Sequence, residues 1–183
     1  MHVREQHRPS STGQLIHRLF PESKLQLWSN HGRTPAADVQ PERPQLWVLH
    51  PQGEPMPESV DAKSVHVVLL DGSWSEASAM ARAVTGRGRL ISLPMAGESR
   101  YWLRDQQEGG RFSTVEALMQ LLRRLELNAV QDELRLQFEL HVYANLRARG
   151  RKEAAERFLA GSPVAAALPE LIAQLNVRRP REP

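Results

Sequence analysis

A strand, a helix and a second strand follow one another within fewer than 30 residues in the middle of the chain. Residues 65–70 (VHVVLL) are a β-branched, almost wholly apolar run, which is typical of a strand covered on both faces. The run stops at Asp71, and Ser73 then stands three residues before Glu76, as in a capping box that begins a helix. Residues 89–93 (RLISL) are the next strand. So short a sequence of elements predicts a parallel βαβ unit, and hence an α/β fold with a mostly parallel sheet flanked by helices.

The other elements fit one domain over residues 1–183. Ser11 or Thr12 caps a helix that ends near Pro21, and residues 45–50 (QLWVLH) are a buried strand that Pro51 ends. We also predict a strand over 25–28 and a helix begun by the capping box of Ser113 and Glu116. A helix over 129–149 follows, with the apolar stripe Val130, Leu134, Phe138 and Val142. C-terminal helices are predicted over 151–176, with a break at 161–163. Loops are predicted over 29–44, 51–63 and 95–112, beside a polar, basic segment over 1–12 and a loose tail over 177–183.

Composition excludes several classes of protein. There is no cysteine, so disulfides, thiolate zinc sites and cysteine nucleophiles are excluded. No apolar run is long enough to span a bilayer, and the polar start cannot serve as a signal sequence, so we expect a cytoplasmic protein with no membrane partner. The net charge is +3, and all but three of the 24 basic residues are arginine, which suits phosphate and base edges. A GC-rich genome would explain the high arginine content equally well. The net charge therefore permits an RNA partner without requiring one.

Three predicted strand ends are candidates for a ligand site, because ligands of α/β folds bind outside the carboxyl ends of parallel strands. These ends are 50–54, 71–74 and 94–97. The sequence has neither a Gly-x-Gly-x-x-Gly motif nor a phosphate-binding Gly-Lys-Ser/Thr loop, and its seven histidines are scattered, so we predict no metal site.

Asp71 is the acid of most interest, because it follows four apolar residues and lies at the mouth of the core. Partial burial would make it a better base than a solvated carboxylate. On spacing alone, an Asp that binds its own turn or the helix N-terminus explains the residue as well. Trp74 is either core or a stacking surface, and the capping box accounts for Glu116.

Several separated motifs resemble those of the DTW-domain proteins. Residues 70–77 (LDGSWSEA) resemble the family's Asp-Thr-Trp signature, 99–104 (SRYWLR) its Ser-x-Tyr-x-Leu-Arg element, and 113–117 (STVEA) its Thr-x-Glu-Ala element. Upstream, 2–5 (HVRE) and 10–13 (SSTG) resemble its His-Pro-Arg-Glu and Ser-Thr-Gly elements. The likeness covers roughly residues 2–145 in the right order. Ser73 stands in place of the signature's Thr, and Val3 in place of its Pro.

The resemblance implies an activity and a fold. DTW proteins are tRNA-uridine aminocarboxypropyltransferases, which transfer the 3-amino-3-carboxypropyl group of S-adenosylmethionine to N3 of a uridine in tRNA and release 5′-methylthioadenosine. Their fold is similar to that of the SPOUT methyltransferases, with a C-terminal trefoil knot. Relatives usually carry a Cys-rich, metal-binding segment before the His-Pro-Arg-Glu element. This sequence has no cysteine, so we expect no metal here.

The resemblance also implies site residues. We assign Asp71 as the base for the uridine proton, Trp74 to packing against the cofactor or the extruded base, and Arg104 to the carboxylate of the transferred group, unless Arg104 instead pairs with Glu116. The expected S-adenosylmethionine pocket contains His50, Pro51, Leu70, Gly72, Ser73, Leu93, Pro94, Tyr101, Thr114 and Glu116. The expected tRNA contacts are Arg4, Arg8, Thr12, Gly13 and Arg100.

Two other functions stay open at this point. The first is a SPOUT-like RNA methyltransferase with the same cofactor, and the second is a non-catalytic RNA- or nucleotide-binding relative. The retained Asp71, Trp74, Arg104 and Glu116 favour an active enzyme. The oligomeric state also stays open, with a monomer favoured.

Overall fold

A computed structural model of the chain describes residues 1–29, 45–84, 86–104 and 112–177. The described residues form three strands, β1 (Gln45–Pro55), β2 (Val65–Val68) and β3 (Arg89–Ser92). Their α-helices are α1 (Thr12–Leu19), α2 (Trp74–Val84), α3 (Thr114–Arg124), α4 (Asn128–Ala148), α5 (Lys152–Ala160), α6 (Val164–Ala167) and α7 (Pro169–Asn176). This is the predicted mixed α/β architecture. The trefoil knot that the resemblance implies stays a prediction.

The sheet is small and wholly parallel, with the strand order β2-β1-β3. The unit β2-α2-β3 is therefore the predicted parallel crossover, and it places β1 between its two strands. β1 is the most deeply buried strand, since Trp47 and Val48 are fully inaccessible. A strand with neighbours on both sides satisfies its backbone groups along both edges, and residues 46–50 of β1 are all buried.

β1 is longer than predicted. Pro51 does not end it, because the pairing with β3 shifts between Leu49 and Glu54 and resumes at Glu54 and Pro55. A proline is tolerated at such an irregularity because its missing N–H is not needed for the ladder there. The predicted loop over 51–63 therefore begins only after Pro55.

The predicted strand over 25–28 is wrong. Only Trp28 forms a bridge there, and its partner is His2. The N–H of Trp28 donates to the Met1 carbonyl, and the Trp28 carbonyl accepts from the N–H of Val3. The N-terminal segment pairs no further, because it forms a 3₁₀ helix over Val3–Glu5. Residues 25–28 therefore have too short a partner to form a strand.

The helical layer follows the predicted boundaries closely. Both capping boxes form, at Ser73 with Glu76 and at Ser113 with Glu116. On α4 the residues Leu134, Phe138 and Val142 are buried, whereas Val130 is exposed because the first turn of this helix extends beyond the core. The region 151–176 forms α5, α6 and α7, with an additional break at Leu168 before Pro169.

No helix within the four described ranges is long and apolar enough to cross a membrane. The predicted loop over 29–44 and the tail over 177–183 fall almost wholly outside the described residues, at 30–44 and 178–183. The predicted loop over 95–112 is described except at 105–111, and its described residues form neither helix nor strand.

Candidate functional site

A cavity of about 510 Å³ lies at the carboxyl ends of the strands. Three helices begin at its wall, because Thr12, Trp74 and Thr114 are the first residues of α1, α2 and α3. The lining contains the predicted residues Thr12, His50, Pro51, Leu70, Asp71, Gly72, Ser73, Trp74, Leu93, Tyr101, Arg104 and Thr114. Segments that are far apart in the sequence therefore meet in one space, whose size falls in the range of small-molecule sites.

Asp71 is the most connected side chain of this cavity. Only 6% of the residue is exposed. Its Oδ2 accepts a hydrogen bond from the hydroxyl of Ser11 at 3.1 Å, and its Oδ1 accepts from the hydroxyls of Thr12 at 3.3 Å and Thr114 at 2.9 Å. Its backbone oxygen accepts from the N–H of His2. The carboxylate thus ties the end of β2 to the N-termini of α1 and α3 while it faces the cavity.

Helix N-termini surround the position of Asp71. The N-terminus of an α-helix carries a partial positive charge, and three helices begin around Asp71. Gly13 lies directly against the carboxylate, since a Cβ there would stand 2.6 Å from Asp71 Oδ2. Gly13 therefore makes room for Asp71 and does not itself line the cavity.

Arg104 brings positive charge to the lining. Its Nη2 lies 2.6 Å from Oε2 of Glu5, and 37% of the side chain is exposed. The guanidinium carbon stands 5.8 Å from the centre of the Tyr101 ring. The alternative pairing of Arg104 with Glu116 does not occur, because Arg104 pairs with Glu5 and other groups bind Glu116.

Glu116 builds the wall of the cavity without lining it. Its carboxylate accepts hydrogen bonds from Ser113 and from the hydroxyl of Ser99 and the N–H of Arg100, at 2.9 and 2.7 Å respectively. It therefore fixes the segment 99–100 to the start of α3. Pro94 is likewise outside the lining, although its neighbours Leu93 and Met95 belong to it.

Trp74 lies at the rim. It is 42% exposed, so it is not a core residue. The tryptophan is the first residue of α2, directly after the capping residue Ser73, and this position turns the ring outward at the cavity. A large exposed aromatic surface beside a cavity is suited to stacking against a planar ring.

Of the predicted RNA contacts, Arg4 and Arg8 are exposed and Arg100 is engaged elsewhere. The side chain of Arg4 is 73% exposed and lies 3.6 Å from Glu76, and that of Arg8 is 50% exposed and lies 2.7 Å from Glu5. Arg100 binds Glu139 at 2.9 Å and the Phe158 carbonyl, and its guanidinium stacks on the Phe158 ring. Arg100 therefore joins its loop to α4 and α5.

Burial alters the titration of two residues of the lining. It raises the pKa of the Tyr101 hydroxyl above its usual range, and this hydroxyl donates to the Ser10 carbonyl. Burial lowers the pKa of His50, whose Nδ1 accepts from the N–H of Gln52 at 3.2 Å. Both side chains are therefore neutral at pH 7.

Sequence reasoning missed two residues that matter here. Glu5 was quoted only as part of a motif, and Ser11 only as a helix cap and as part of the 10–13 motif. The spacing of Glu5 and Arg8 is that of an ion pair on one helical turn, which was a usable signal. No local signal connects Ser11 to Asp71. Met95 lines the cavity and belongs to the predicted strand end 94–97. Further lining residues that were not assigned are Leu49, Leu69, Ile91, Ser99, Phe112, Ser113 and Ala117.

A metal site has no support from the described part of the chain. Within it, no three or more Asp, Glu or His side chains are grouped so that they could hold a metal ion. The described lining residues offer hydroxyls, backbone groups, one carboxylate and one guanidinium, which suit an organic ligand with polar and charged ends.

Comparison with known proteins identifies a family. The family model described as DTW domain matches residues 1–146. The match covers the cavity residues and α1 to α3, together with almost all of α4. No solved structure matches the chain.

Proposed function

The chain belongs to the DTW domain family, a family of tRNA-modifying enzymes, and we propose that it transfers the 3-amino-3-carboxypropyl group of S-adenosylmethionine to N3 of a uridine in tRNA. The observation that carries this proposal is the meeting of Asp71, Arg104 and Trp74 in one cavity. Each of these side chains matches one requirement of the reaction, and they come from three separate elements or loops.

S-adenosylmethionine supplies a methylene carbon that the adjoining sulfonium already activates. When N3 of uridine bonds to this carbon, the carbon–sulfur bond breaks, and its electron pair neutralises the sulfur and leaves 5′-methylthioadenosine. The N3 proton must leave as well. The enzyme therefore has to orient two reactants and accept one proton, which are tasks of positioning and general-base catalysis.

In this proposal Asp71 accepts the uridine proton. The hydroxyls of Ser11, Thr12 and Thr114 fix the orientation of the carboxylate, and the cavity brings the substrate to it. A base held in one orientation loses little entropy on reaching the transition state. Proton uptake turns the Asp71 carboxylate into a neutral carboxyl group. The same hydroxyls can still bind it, if one hydrogen bond reverses so that the carboxyl O–H donates to a hydroxyl oxygen.

Arg104 receives the carboxylate of the transferred group. A guanidinium matches a carboxylate through two parallel N–H groups, and the exposed part of Arg104 faces the cavity. Trp74 then stacks against the uracil ring or the adenine ring at the rim. Neutral His50 and Tyr101 complete a lining that distinguishes the charged end of the ligand from its uncharged end.

The experiment is to incubate the protein with S-adenosylmethionine and unmodified tRNA and to analyse the digested nucleosides by mass spectrometry. We expect a uridine that is heavier by one aminocarboxypropyl group, and an equal amount of 5′-methylthioadenosine. A methylated nucleoside with S-adenosylhomocysteine would show the methyltransferase reaction instead. Binding of S-adenosylmethionine and tRNA without any product would favour the non-catalytic alternative.

A further inference from the structure

Glu5 is a fully buried carboxylate that binds two arginines. Its Oε1 lies 2.7 Å from Nη1 of Arg8, and its Oε2 lies 2.6 Å from Nη2 of Arg104. The two arginines are separated by almost a hundred residues, and both are partly exposed whereas Glu5 is not. One buried group thus fixes two side chains that reach the surface of the site.

The charges of this cluster do not cancel. Counted over the described residues, its two guanidinium groups and one carboxylate leave one net positive charge, which can attract an anionic group of a ligand. A guanidinium has five N–H donors, and among the described residues the hydrogen bond of Arg104 with Glu5 is made by Nη2 alone. Arg104 can therefore bind Glu5 and a second carboxylate at the same time.

The backbone of Glu5 is also fixed. Its N–H donates to the His2 carbonyl and its carbonyl accepts from Arg8, within and just after the short 3₁₀ helix. The N–H of His2 in turn donates to the backbone oxygen of Asp71. The first residues of the chain therefore connect Asp71 with Arg104, the carboxylate and the guanidinium of the described lining.

We propose that Glu5 is a positioning residue for the transfer reaction, and this proposal rests on the proposed function. It holds Arg104 where the guanidinium meets the carboxylate of the transferred group, and it holds Arg8 at the rim, where an RNA phosphate can reach it. A free arginine side chain samples many rotamers, and anchoring it to a buried group removes much of the entropic cost of binding.

Substitution of Glu5 by Gln distinguishes two effects on ligand binding, the positioning of Arg104 and the attraction of an anionic group by net positive charge. Glu5→Gln keeps the shape of the side chain but raises the net charge of the cluster by one. If charge alone governs the site, this variant binds S-adenosylmethionine as well as the wild type or more tightly. If Glu5 positions Arg104, we expect about tenfold weaker binding of S-adenosylmethionine. Binding of 5′-methylthioadenosine, which lacks the carboxylate, should change less than about twofold.

A double-mutant cycle assigns the effect to Arg104. Arg104→Ala should weaken S-adenosylmethionine more than 5′-methylthioadenosine, and adding Glu5→Gln to it should cause no further loss. Isothermal titration calorimetry gives the dissociation constants, and circular dichroism establishes that each variant is folded. If Glu5→Gln does not fold, Arg104→Lys tests the same geometry, because lysine keeps the charge but cannot bind two carboxylates with a planar fork.

The outcomes distinguish this inference from the proposed function. A wild-type protein that binds neither S-adenosylmethionine nor 5′-methylthioadenosine would overturn both. A wild type that binds both ligands and transfers the group, beside a folded Glu5→Gln variant of equal or higher S-adenosylmethionine affinity, would overturn the role of Glu5 alone. The same holds for an Arg104→Lys variant that binds like the wild type.

Discussion

Asp71 joins three segments of the chain through hydroxyl hydrogen bonds and faces the cavity as well, so its substitution tests two roles at once. Asn keeps one acceptor oxygen and the size of the side chain but cannot accept the uridine proton. We expect Asp71→Asn to bind S-adenosylmethionine like the wild type and to lose about a hundredfold or more in turnover with tRNA. Single-turnover assays and calorimetry measure the two quantities separately.

Two control variants separate catalysis from structure. Thr114→Val removes one hydroxyl donor to Asp71 but leaves the carboxylate, so it should lose some stability and much less turnover than Asp71→Asn. Asp61→Asn changes a carboxylate that only caps the 3₁₀ helix over Ala62–Ser64. Equal losses of turnover in Asp71→Asn and Thr114→Val would make Asp71 a structural residue of the turn.

His141 makes the stability of the fold depend on pH. Burial, and then the charges of Arg18 and Arg149, lower its pKa from 6.5 to about 4. The unfolded chain therefore takes up a proton below about pH 6.5 that the folded chain takes up only near pH 4. Stability must fall as the pH drops through this window, by up to about 3 kcal/mol in total.

Urea unfolding between pH 7 and pH 5 measures this effect. The free energy of unfolding of the wild type should fall over that range, and in His141→Gln the fall should be smaller. His17→Gln, at an exposed histidine of α1, is the matched control and should behave like the wild type. A slope that His141→Gln leaves unchanged would assign the pH dependence to other groups.

At the scale of single residues, the sequence located Asp71, Trp74 and Arg104 because each stands in a recognisable motif or beside a strand end. It could not reveal that Glu5 binds Arg104 or that Ser11 binds Asp71. Those contacts join residues 99 and 60 positions apart, and they depend on how the N-terminal segment packs. The sequence likewise could not reveal that the partners of Arg100, an expected RNA contact, lie on α4 and α5.

At the scale of elements, local signals predicted helices better than strands. A capping box is contained in four residues, so the starts of α2 and α3 were readable directly. The length of β1 depends on β3, which supplies the partner beyond the shift in pairing, and no property of residues 51–55 reveals that partner. Proline at position 51 therefore gave the wrong end for this strand.

Gly53 is the residue that allows β1 to continue beside β3. A Cβ at this position would stand 2.5 Å from the backbone carbon of Leu90 and 2.6 Å from the nitrogen of Ile91. Backbone atoms of a neighbouring strand cannot move aside as a flexible side chain can. We expect Gly53→Ala to destabilise the fold by about 1–3 kcal/mol, measured by urea unfolding.

Gly161 provides the control for this variant. It follows α5, its φ is −104°, and an added Cβ would make an ordinary contact at 3.5 Å with Arg100. Gly161→Ala should therefore change stability by less than about 0.5 kcal/mol. If Gly53→Ala is no more destabilising than Gly161→Ala, the close approach of β1 and β3 is relieved at little cost.

At the scale of the whole molecule, the N-terminal segment connects the parts of the site. Residues 1–12 were predicted to be a polar, basic segment, and several of their polar side chains are in fact buried: His2, Glu5, Ser10, Ser11 and Thr12. They are buried because they bind one another, the end of β2 and Arg104. The same segment leaves the side chains of Arg4 and Arg8 exposed by 73% and 50%, and Arg8 shares its partner Glu5 with the lining residue Arg104.

This arrangement predicts where tRNA phosphates meet the protein. Each arginine that neutralises a phosphate releases a counterion, so affinity falls as the salt concentration rises. Removing such an arginine makes a plot of the logarithm of affinity against the logarithm of salt concentration less steep. For the double variant Arg4→Ala/Arg8→Ala we expect the slope to decrease in magnitude by about 1.5, together with weaker binding. Filter binding of unmodified tRNA between low and moderate salt measures both.

The matched control removes two arginines from the end of α3 that is remote from the cavity. Arg123 and Arg124 are exposed in the last turn of α3, whereas the first residue of that helix lines the cavity. The length of the helix, about 1.5 Å per residue, keeps them well away from the rim. Arg123→Ala/Arg124→Ala should therefore leave the slope near that of the wild type. Equal decreases in both double variants would mean that tRNA is attracted by overall charge and not held at the rim.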